Sequence, residues 1–286
     1  MANPELDTQR ILVTGASGLL GPYFREAAAR VGNVAGLCRH AGDIECDLRD
    51  PIRTAAAVGG FRPTTVIHAA ALTNVDLCER DPDLAQSMNV QATANLVAAI
   101  PNECALVYVS TDQVYPGVPG PHEEGSASPV NTYGRTKLAG EQEAARHSEA
   151  LILRTNIFGP SRSPGRESLS DFFVNSSREK RPVTLFHDIL FSPLHMATLA
   201  ELALDMVSNG IRGLFNVGSQ DGMSKADFAL AVAGHLELST ETAKLGVSTQ
   251  VAERAARAAD LRLDLQNIEA ALRRPMPNLL EEVAKL

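Results

Sequence analysis

Short apolar runs that alternate with longer segments of helical spacing constrain the fold of this chain more than any other feature. The runs are four or five residues long, too short for buried helices. They lie at residues 11–14, 34–37, 65–68, 106–110 and 151–155. The segments with helical spacing lie between them, at residues 19–31, 51–58, 83–100 and 133–147. This order predicts an α/β fold of the Rossmann type, a doubly wound parallel sheet with helices on both faces.

The pattern becomes less regular after about residue 160. Helical spacing recurs at residues 169–179, 197–209 and 225–235, and residues 214–217 have the composition of a strand. We expect residues 1–160 to form the Rossmann domain and residues 161–286 to form a smaller substrate-binding lobe, with some segments returning to the main sheet. Such a lobe would cover the carboxyl ends of the strands, where open α/β sheets bind their ligands.

Composition narrows the range of partners. The chain has 286 residues, a net charge of −8 and dispersed Lys and Arg residues, so we expect no nucleic-acid partner. No apolar run approaches the roughly 18 residues that span a bilayer, and the amino terminus lacks the apolar core of a signal peptide. We therefore expect a cytoplasmic protein without membrane contact. The four cysteines lack the spacing of a metal site, which indicates buried reduced thiols and no metal.

The first predicted strand leads directly into a glycine-rich turn that opens a helix. Glycine permits a tight turn and close backbone approach, so that amide groups and the helix dipole can hold a pyrophosphate. The spacing is GxxGxxG, which predicts dinucleotide binding, although a plain strand-to-helix turn can have the same composition. The candidate contacts are Gly15, Ser17, Gly18, Leu19, Leu20 and Gly21.

The end of the second predicted strand favours one dinucleotide over another. A carboxylate that would bind the ribose 2′-hydroxyl of NAD is absent there, and Arg39 offers a cation for the 2′-phosphate of NADP. We therefore predict NADP(H), with NAD(H) as the alternative if Arg39 is a solvated loop residue. The further candidates are His40, Leu48 and Asp47, which would face the adenine amino group. Asp50 is better placed than Asp47 to cap the helix that follows.

Tyr133 and Lys137 lie four residues apart in a predicted helix. Side chains at this spacing share one face, and an ammonium close to a phenol lowers the tyrosine pKa from its usual value of about 10. The pair therefore predicts a proton donor that works near neutral pH. The alternative is an accidental pair on a solvated helix.

Five motifs occur in order between residues 14 and 137. They are Thr14-Gly-x-x-Gly-x-x-Gly21, His68-Ala-Ala-Ala71, Asn89, Ser110-Thr-Asp112 and Tyr133-x-x-x-Lys137. Together they resemble the motifs of the extended short-chain dehydrogenase/reductases. Within that superfamily, residues 70–76, 110–114 and 133–141 look most like the dTDP-4-dehydrorhamnose reductases, a family that reduces 4-keto sugar nucleotides.

The resemblance implies a role for each motif. Thr111 would bind the substrate carbonyl, Tyr133 would donate the proton, and Lys137 would also hold the nicotinamide ribose. The remaining implied cofactor contacts are Ala69, Ala70, Ala71, Ser110 and Thr155. The implied substrate contacts are Thr73, Asn74, Asp112, Gln113, Val114, Asn156 and Arg257. We expect His68 to have a satisfied ring and no catalytic role, and Asn89 either to hold the backbone of a neighbouring strand or to act in catalysis.

The chain departs from these reductases on the substrate side. It contains no tryptophan. The segment after Arg154-Thr155 is Asn-Ile-Phe, whereas the reductases typically carry a tryptophan in this segment. Residues 188–194 and 256–258 also differ, so Arg257 and Arg262 are either a diphosphate clamp or surface cations. Because of these departures, the resemblance does not identify the sugar of the substrate.

Three functions agree with the sequence. The first is an NADP(H)-dependent reductase that delivers hydride to the 4-keto carbon of a nucleotide-linked sugar. The second is a nucleotide-sugar epimerase or dehydratase on the same scaffold, but dehydratases usually carry Glu where this chain has Gln113. The third is a non-catalytic, NADP-binding regulatory subunit, because some relatives of the family modulate a partner enzyme. Family members are often dimers, so a homodimer is one expectation.

Overall fold

The computed structural model describes residues 9–248 and 254–286. Its strands are, in chain order, β1 (Arg10–Thr14), β2 (Asn33–Cys38), β3 (Ile44–Glu45), β4 (Thr65–His68), β5 (Ala105–Val109), β6 (Ala150–Thr155), β7 (Ile157–Phe158), β8 (Val183–Phe186), β9 (Leu190–Phe191), β10 (Leu194–His195), β11 (Gly213–Val217), β12 (Met223–Ser224), β13 (Ala243–Gly246) and β14 (Asp260–Leu261). Its α-helices are α1 (Gly21–Ala29), α2 (Pro51–Phe61), α3 (Val75–Arg80), α4 (Pro82–Gln86), α5 (Ala92–Ala99), α6 (Thr132–Ala144), α7 (Leu169–Arg178), α8 (Met196–Ser208), α9 (Lys225–His235), α10 (Gln266–Leu272) and α11 (Leu279–Val283).

A seven-stranded sheet in the order β11-β6-β5-β4-β1-β2-β3 forms the centre of the molecule. Every pairing in it is parallel, which confirms the predicted Rossmann fold. The chain runs outward from β1 in both directions, toward β2 on one side and β4 on the other. A crevice forms at the carboxyl ends of strands where the order reverses in this way, and it is the usual ligand site of such sheets.

Side chains alternate across the sheet and fill a core on each face. Val13 of β1 packs in one core with Phe24 of α1 and Leu199 of α8. The neighbouring residue Leu12 points the other way and packs with the α5 residue Leu96. Apolar runs without alternation are therefore required, because both faces of these strands are covered.

The part of the chain that follows β6 builds three small sheets beside the main one. Their orders are β10-β7, β12-β9-β14 and β13-β8. The same part of the chain supplies β11, which pairs with β6 at the edge of the main sheet, and α8, which shares the core with α1. The carboxyl-terminal segments thus contribute both to the main sheet and to the region over its strand ends.

One predicted helix differs from the prediction. Residues 83–100 form α4 and α5 joined by a π-helical segment, Ser87–Gln91, rather than one regular helix. Such a bulge adds a residue to one turn and is frequent at functional sites. It carries Asn89, which is 1% exposed, into the interior.

The remaining expectations concern thiols and membranes. All four cysteines are free and buried, as predicted. In the described part of the chain, no three His, Cys, Asp or Glu side chains group closely enough to hold a metal ion. None of the helices described combines the length and hydropathy needed to cross a bilayer.

Gly140 tests the packing of α6 on the sheet. A Cβ added there would lie 2.2 Å from the Tyr108 hydroxyl oxygen and 2.7 Å from the Asn89 carbonyl oxygen. We predict that Gly140→Ala lowers the free energy of unfolding, measured with urea, by about 1–3 kcal/mol because the core is overpacked. Gly59→Ala is the matched control, since a Cβ there meets nothing within 4 Å, and it should raise stability by about 0.5–1 kcal/mol. Equal stability of the two variants would contradict this packing.

Candidate active site

A cavity of about 600 Å³ opens at the carboxyl ends of β1, β4, β5 and β6. The glycine turn contributes Gly15, Ser17, Gly18, Leu19 and Leu20 to its lining. Residues after β2 contribute Arg39, His40, Asp47 and Leu48. Residues after β4 contribute Ala69, Ala70, Ala71 and Thr73. The ends of β5 and β6 contribute Ser110, Thr111, Asp112, Gln113, Thr155 and Asn156, and Tyr133, Lys137 and Arg257 complete the predicted set that lines it.

Three predicted contacts lie away from the cavity lining. Gly21 is enclosed within the turn, where an added Cβ would lie 2.1 Å from the Ala16 carbonyl oxygen. Asn74 caps α3 by accepting a hydrogen bond from the Leu77 amide at 2.8 Å. Val114 is fully buried in the carboxyl-terminal hydrophobic core. The structure gives each of these residues a structural role.

The glycine turn has the geometry of an anion-binding loop. Gly15 has a φ of +68°, and its Cα approaches the backbone of Ala70 so closely that an added Cβ would lie 2.7 Å from the Ala70 nitrogen. The amides of Ser17, Leu19 and Leu20 donate no hydrogen bond within the described residues. These groups lie at the amino end of α1, where the helix dipole favours negative charge, so the turn fits the pyrophosphate of a dinucleotide.

Asp47 and Asp50, which follow β2 and β3, have different roles in the structure. The side chain of Asp50 accepts hydrogen bonds from the Ile52 and Arg53 amides and caps α2, as expected. Asp47 lines the cavity and binds the Arg49 guanidinium, which lowers the pKa of Asp47 to about 2. The exposed Arg39 guanidinium donates no hydrogen bond within residues 9–248 and 254–286, so its donors are available to a phosphate.

Thr111, Tyr133 and Lys137 converge at the end of β5. They come from the residues after that strand and from the first two turns of α6, and they are between 2% and 8% exposed. The Thr111 hydroxyl oxygen accepts a hydrogen bond from the Gln113 amide at 3.2 Å and lies 3.2 Å from the Asp112 carboxylate. The Lys137 ammonium donates to the Val109 carbonyl at 2.8 Å, which fixes it beneath the strand end.

The protonation of the Tyr133 and Lys137 pair differs from the sequence prediction. Burial raises the pKa of Tyr133 well above its usual value, while hydrogen bonding to Thr111 opposes this shift. The predicted lowering of the Tyr133 pKa by Lys137 is not found in this geometry, because burial is the largest influence on that pKa and Lys137 is not among the groups that shift it. Burial also lowers the pKa of Lys137 to about 7, opposed by the negative charge of Glu141. Tyr133 thus keeps its proton at neutral pH.

His68 and Asn89 are buried and form hydrogen bonds that connect neighbouring elements. The His68 ring lies 2.7 Å from the Thr14 hydroxyl and 3.0 Å from the Thr93 hydroxyl, and burial lowers its pKa to about 3, so it is neutral. The expectation of a satisfied ring is confirmed. Asn89 accepts from the Leu72 amide at 2.7 Å and donates to the Thr136 hydroxyl at 3.0 Å. It holds the loop after β4 rather than a strand, and it ties that loop to α6.

The two arginines proposed for a diphosphate clamp differ in position. Arg257 lines the cavity and binds the Asp76 carboxylate at 2.9 Å. Arg262 binds Asp260 at 2.7 Å and the Gly120 carbonyl at 3.3 Å, and it does not line the cavity. Ile157, where the reductases typically carry tryptophan, lies in the lining.

A family model described as the RmlD substrate binding domain matches residues 9–286. The chain belongs to the RmlD substrate-binding domain family. It is 32% identical over 211 residues to the dTDP-4-dehydrorhamnose reductase of Salmonella typhimurium, covering 72% of this chain and 68% of that protein. It is 30% identical over 244 residues to methionine adenosyltransferase 2 subunit beta of Xenopus laevis, covering 81% of this chain and 73% of that protein.

Solved structures of the RmlD-type fold agree with the architecture. The crystal structure of dTDP-4-dehydrorhamnose reductase from Bacillus anthracis in complex with NADP has a TM-score of 0.89 and 23% identity to this chain. The match covers 97% of this chain and 98% of that one. At this identity the likeness shows the fold alone.

Three cavity-lining cations of this RmlD-family chain were not predicted from the sequence, namely Arg49, which binds Asp47, Arg166 and Lys225. Lys225 comes from the first turn of α9, and Arg166 comes from the loop before α7. Arg166 donates to the Ser17 carbonyl at 3.1 Å, and Ser163 of the same loop donates to the Gly18 carbonyl at 2.8 Å. The loop therefore packs on the glycine turn from the carboxyl-terminal side, a contact that no local pattern indicates.

A buried ion pair close to Lys137 was also not predicted from the sequence. Glu141 and Arg154 are 4% and 2% exposed, and they form a two-point contact at 2.7 and 2.9 Å. The Ser110 hydroxyl donates to the same carboxylate. The one available signal was spacing, since Glu141 lies four residues after Lys137 and therefore on the same face of α6.

Glu141→Gln should lower the pKa of Lys137. The carboxylate raises that pKa against the effect of burial, so its removal takes the value below the present one of about 7. Titration of Lys137 by NMR with ¹³C-labelled lysine measures this directly. Tyr115→Phe is the matched control, because it removes a hydroxyl that accepts from Arg154 at 3.1 Å but leaves the Glu141 charge in place. An unchanged Lys137 pKa in folded Glu141→Gln protein would contradict the coupling.

Proposed function

We propose that this protein is an NADP(H)-dependent reductase of a keto-sugar nucleotide, with chemistry like that of the dTDP-4-dehydrorhamnose reductases. Hydride goes to the 4-keto carbon, and Tyr133 donates the proton. The observation that carries the proposal is the convergence of Thr111, Tyr133 and Lys137 in one cavity with the glycine turn. Membership of the RmlD substrate-binding domain family supports it.

The residues present fit NADP(H). The free amides of the glycine turn bind the pyrophosphate, and Arg39 binds the 2′-phosphate. Lys137 holds the nicotinamide ribose, and the small residues Ala69 to Ala71 leave room for the ring. When bound, NADPH supplies the hydride.

Tyr133 acts as the general acid. Reduction of a ketone places negative charge on the carbonyl oxygen, and a proton donor within hydrogen-bonding reach neutralises it. The buried phenol keeps its proton at neutral pH because ionisation is disfavoured by desolvation. Thr111 binds the same oxygen and orients it, and Asp112, Gln113 and Asn156 contact the sugar.

A second function is favoured by one specific observation. The chain is as similar to methionine adenosyltransferase 2 subunit beta as to the reductases, with 30% identity over 81% of its length. In that case the protein would bind NADP(H) and act on a partner enzyme without turning over a substrate. The epimerase or dehydratase alternative gains no such support, and Gln113 stands where dehydratases usually carry Glu.

Deuteride transfer separates these functions. NADPH labelled at either face of C4 is incubated with a panel of 4-keto sugar nucleotides, and products are analysed by mass spectrometry. We predict deuterium in the product and a rate reduced about 100-fold or more by Tyr133→Phe, the loss expected for a missing general acid. Transfer to none of the substrates, together with tight NADPH binding, would support the regulatory function and overturn the reductase. Conversion without net NADPH consumption would indicate an epimerase.

Arg39→Ala tests cofactor choice. We predict that it weakens NADPH binding by about tenfold or more, because a charged hydrogen bond to phosphate contributes about 1.5–3 kcal/mol. NADH lacks that phosphate and should bind almost unchanged. Fluorescence titration with both nucleotides measures the two losses, and equal losses would show that Arg39 does not bind the 2′-phosphate.

A further inference from the structure

Lys225 is a cavity-lining cation without an assigned role. It is the first residue of α9, whose cap Ser224 accepts a hydrogen bond from the Asp227 amide at 3.0 Å. Its side chain lines the cavity together with Asp112, Asn156 and Arg257. The Lys225 ammonium also lies 5.9 Å from the centre of the Phe191 ring, so part of its surroundings is apolar.

The position of Lys225 is electrostatically unfavourable in three ways. The amino end of a helix carries partial positive charge, which a lysine there opposes. Burial lowers the pKa of Lys225, and the positive charges of Arg254 and Arg257 lower it further. Asp112 raises it, but no carboxylate in residues 9–248 and 254–286 forms an ion pair with it at 4.0 Å or less. Charged groups in electrostatically unfavourable positions are found mostly at sites that bind ligands.

Arg257, which lines the same cavity and whose charge acts on Lys225, is held in place by two contacts. Its guanidinium donates to the Asp76 carboxylate at 2.9 Å and to the Ala255 carbonyl at 3.0 Å. A guanidinium has five N–H donors, so others are left to bind a ligand. The two contacts fix the orientation of the group before a ligand binds, which reduces the entropy lost on binding.

We propose that Lys225 and Arg257 together bind the diphosphate of the substrate nucleotide in the part of the cavity that the carboxyl-terminal segments line. This inference rests on the proposed function, since a sugar nucleotide is the ligand that carries such a group. Two neighbouring cations match a doubly charged diphosphate better than a single carboxylate. Asp112 follows Thr111 directly, and its charge acts on Lys225. In the proposed function Lys225 is therefore on the side of Thr111 where the substrate binds and where the diphosphate joins the sugar.

Calorimetric titration of the NADP⁺-loaded protein tests the assignment. The probes are UDP and dTDP, their nucleosides uridine and thymidine, and inorganic pyrophosphate. We predict that Lys225→Met weakens binding of the bound nucleoside diphosphate by about tenfold or more, the loss of a hydrogen bond to a charged group. The corresponding nucleoside should bind both proteins equally. Lys225→Arg keeps the charge and should retain most of the affinity, and Lys244→Met, on the exposed face of β13, should change nothing.

The outcomes separate this inference from the proposed function. Nucleoside diphosphates that bind wild-type and Lys225→Met protein equally would overturn the role of Lys225 and leave the reductase standing. A wild-type protein that binds none of the probes would overturn both. A comparison of UDP-glucuronic acid with UDP-glucose covers a sugar carboxylate as the anionic group. If Lys225→Met selectively weakens the glucuronic acid compound and spares UDP, Lys225 binds the sugar acid and the diphosphate assignment is wrong.

Discussion

The buried ion pair between Glu141 and Arg154 is the interaction on which the arrangement of the site depends. It joins α6 to β6, and Ser110 brings the end of β5 to the same carboxylate. Arg154 also donates to the Tyr115 hydroxyl at 3.1 Å, and that hydroxyl donates to Asn216 of β11. Removing one partner of such a pair costs about 3–5 kcal/mol, because the other charge remains buried. The ion pair and its hydrogen bonds thus fix the elements that carry Thr111, Tyr133 and Lys137 relative to one another.

This arrangement has an electrostatic consequence for Tyr133, the proposed proton donor. The same burial that excludes water disfavours both the Tyr133 phenolate and the Lys137 ammonium. The sequence suggested that charge would dominate, with the lysine lowering the tyrosine pKa. In the structure desolvation dominates, and the negative charge of Glu141 opposes the lowering of the Lys137 pKa by burial. A buried acid that keeps its proton is suited to donation, while a phenolate would be suited to removing one.

The sequence predicted those features whose causes are local. The strand at residues 65–68 is found within the same bounds because a buried parallel strand requires a short apolar run. The glycine turn was also predicted from a local cause, because the turn requires a φ of +68° at Gly15 and glycine adopts it without strain. Val114 was misplaced because it follows Asp112 in a short 3₁₀ turn, which directs it into the core instead of the cavity. Lys225 and Arg166 were missed because only tertiary packing brings them to the strand ends.

The residues that line the cavity bear on the choice between a reductase and a regulatory subunit. Dinucleotide binding needs only the glycine turn and its neighbours, and both functions would retain those. A regulatory subunit has no use for a buried phenol that stays protonated or for a cation held at the amino end of a helix, since both are costly to bury. Tyr133 and Lys225 both line the cavity, and the proposed function places the first at the reacting carbonyl and the second at the diphosphate. That the chain retains both costs is an argument for turnover of a nucleotide-linked substrate.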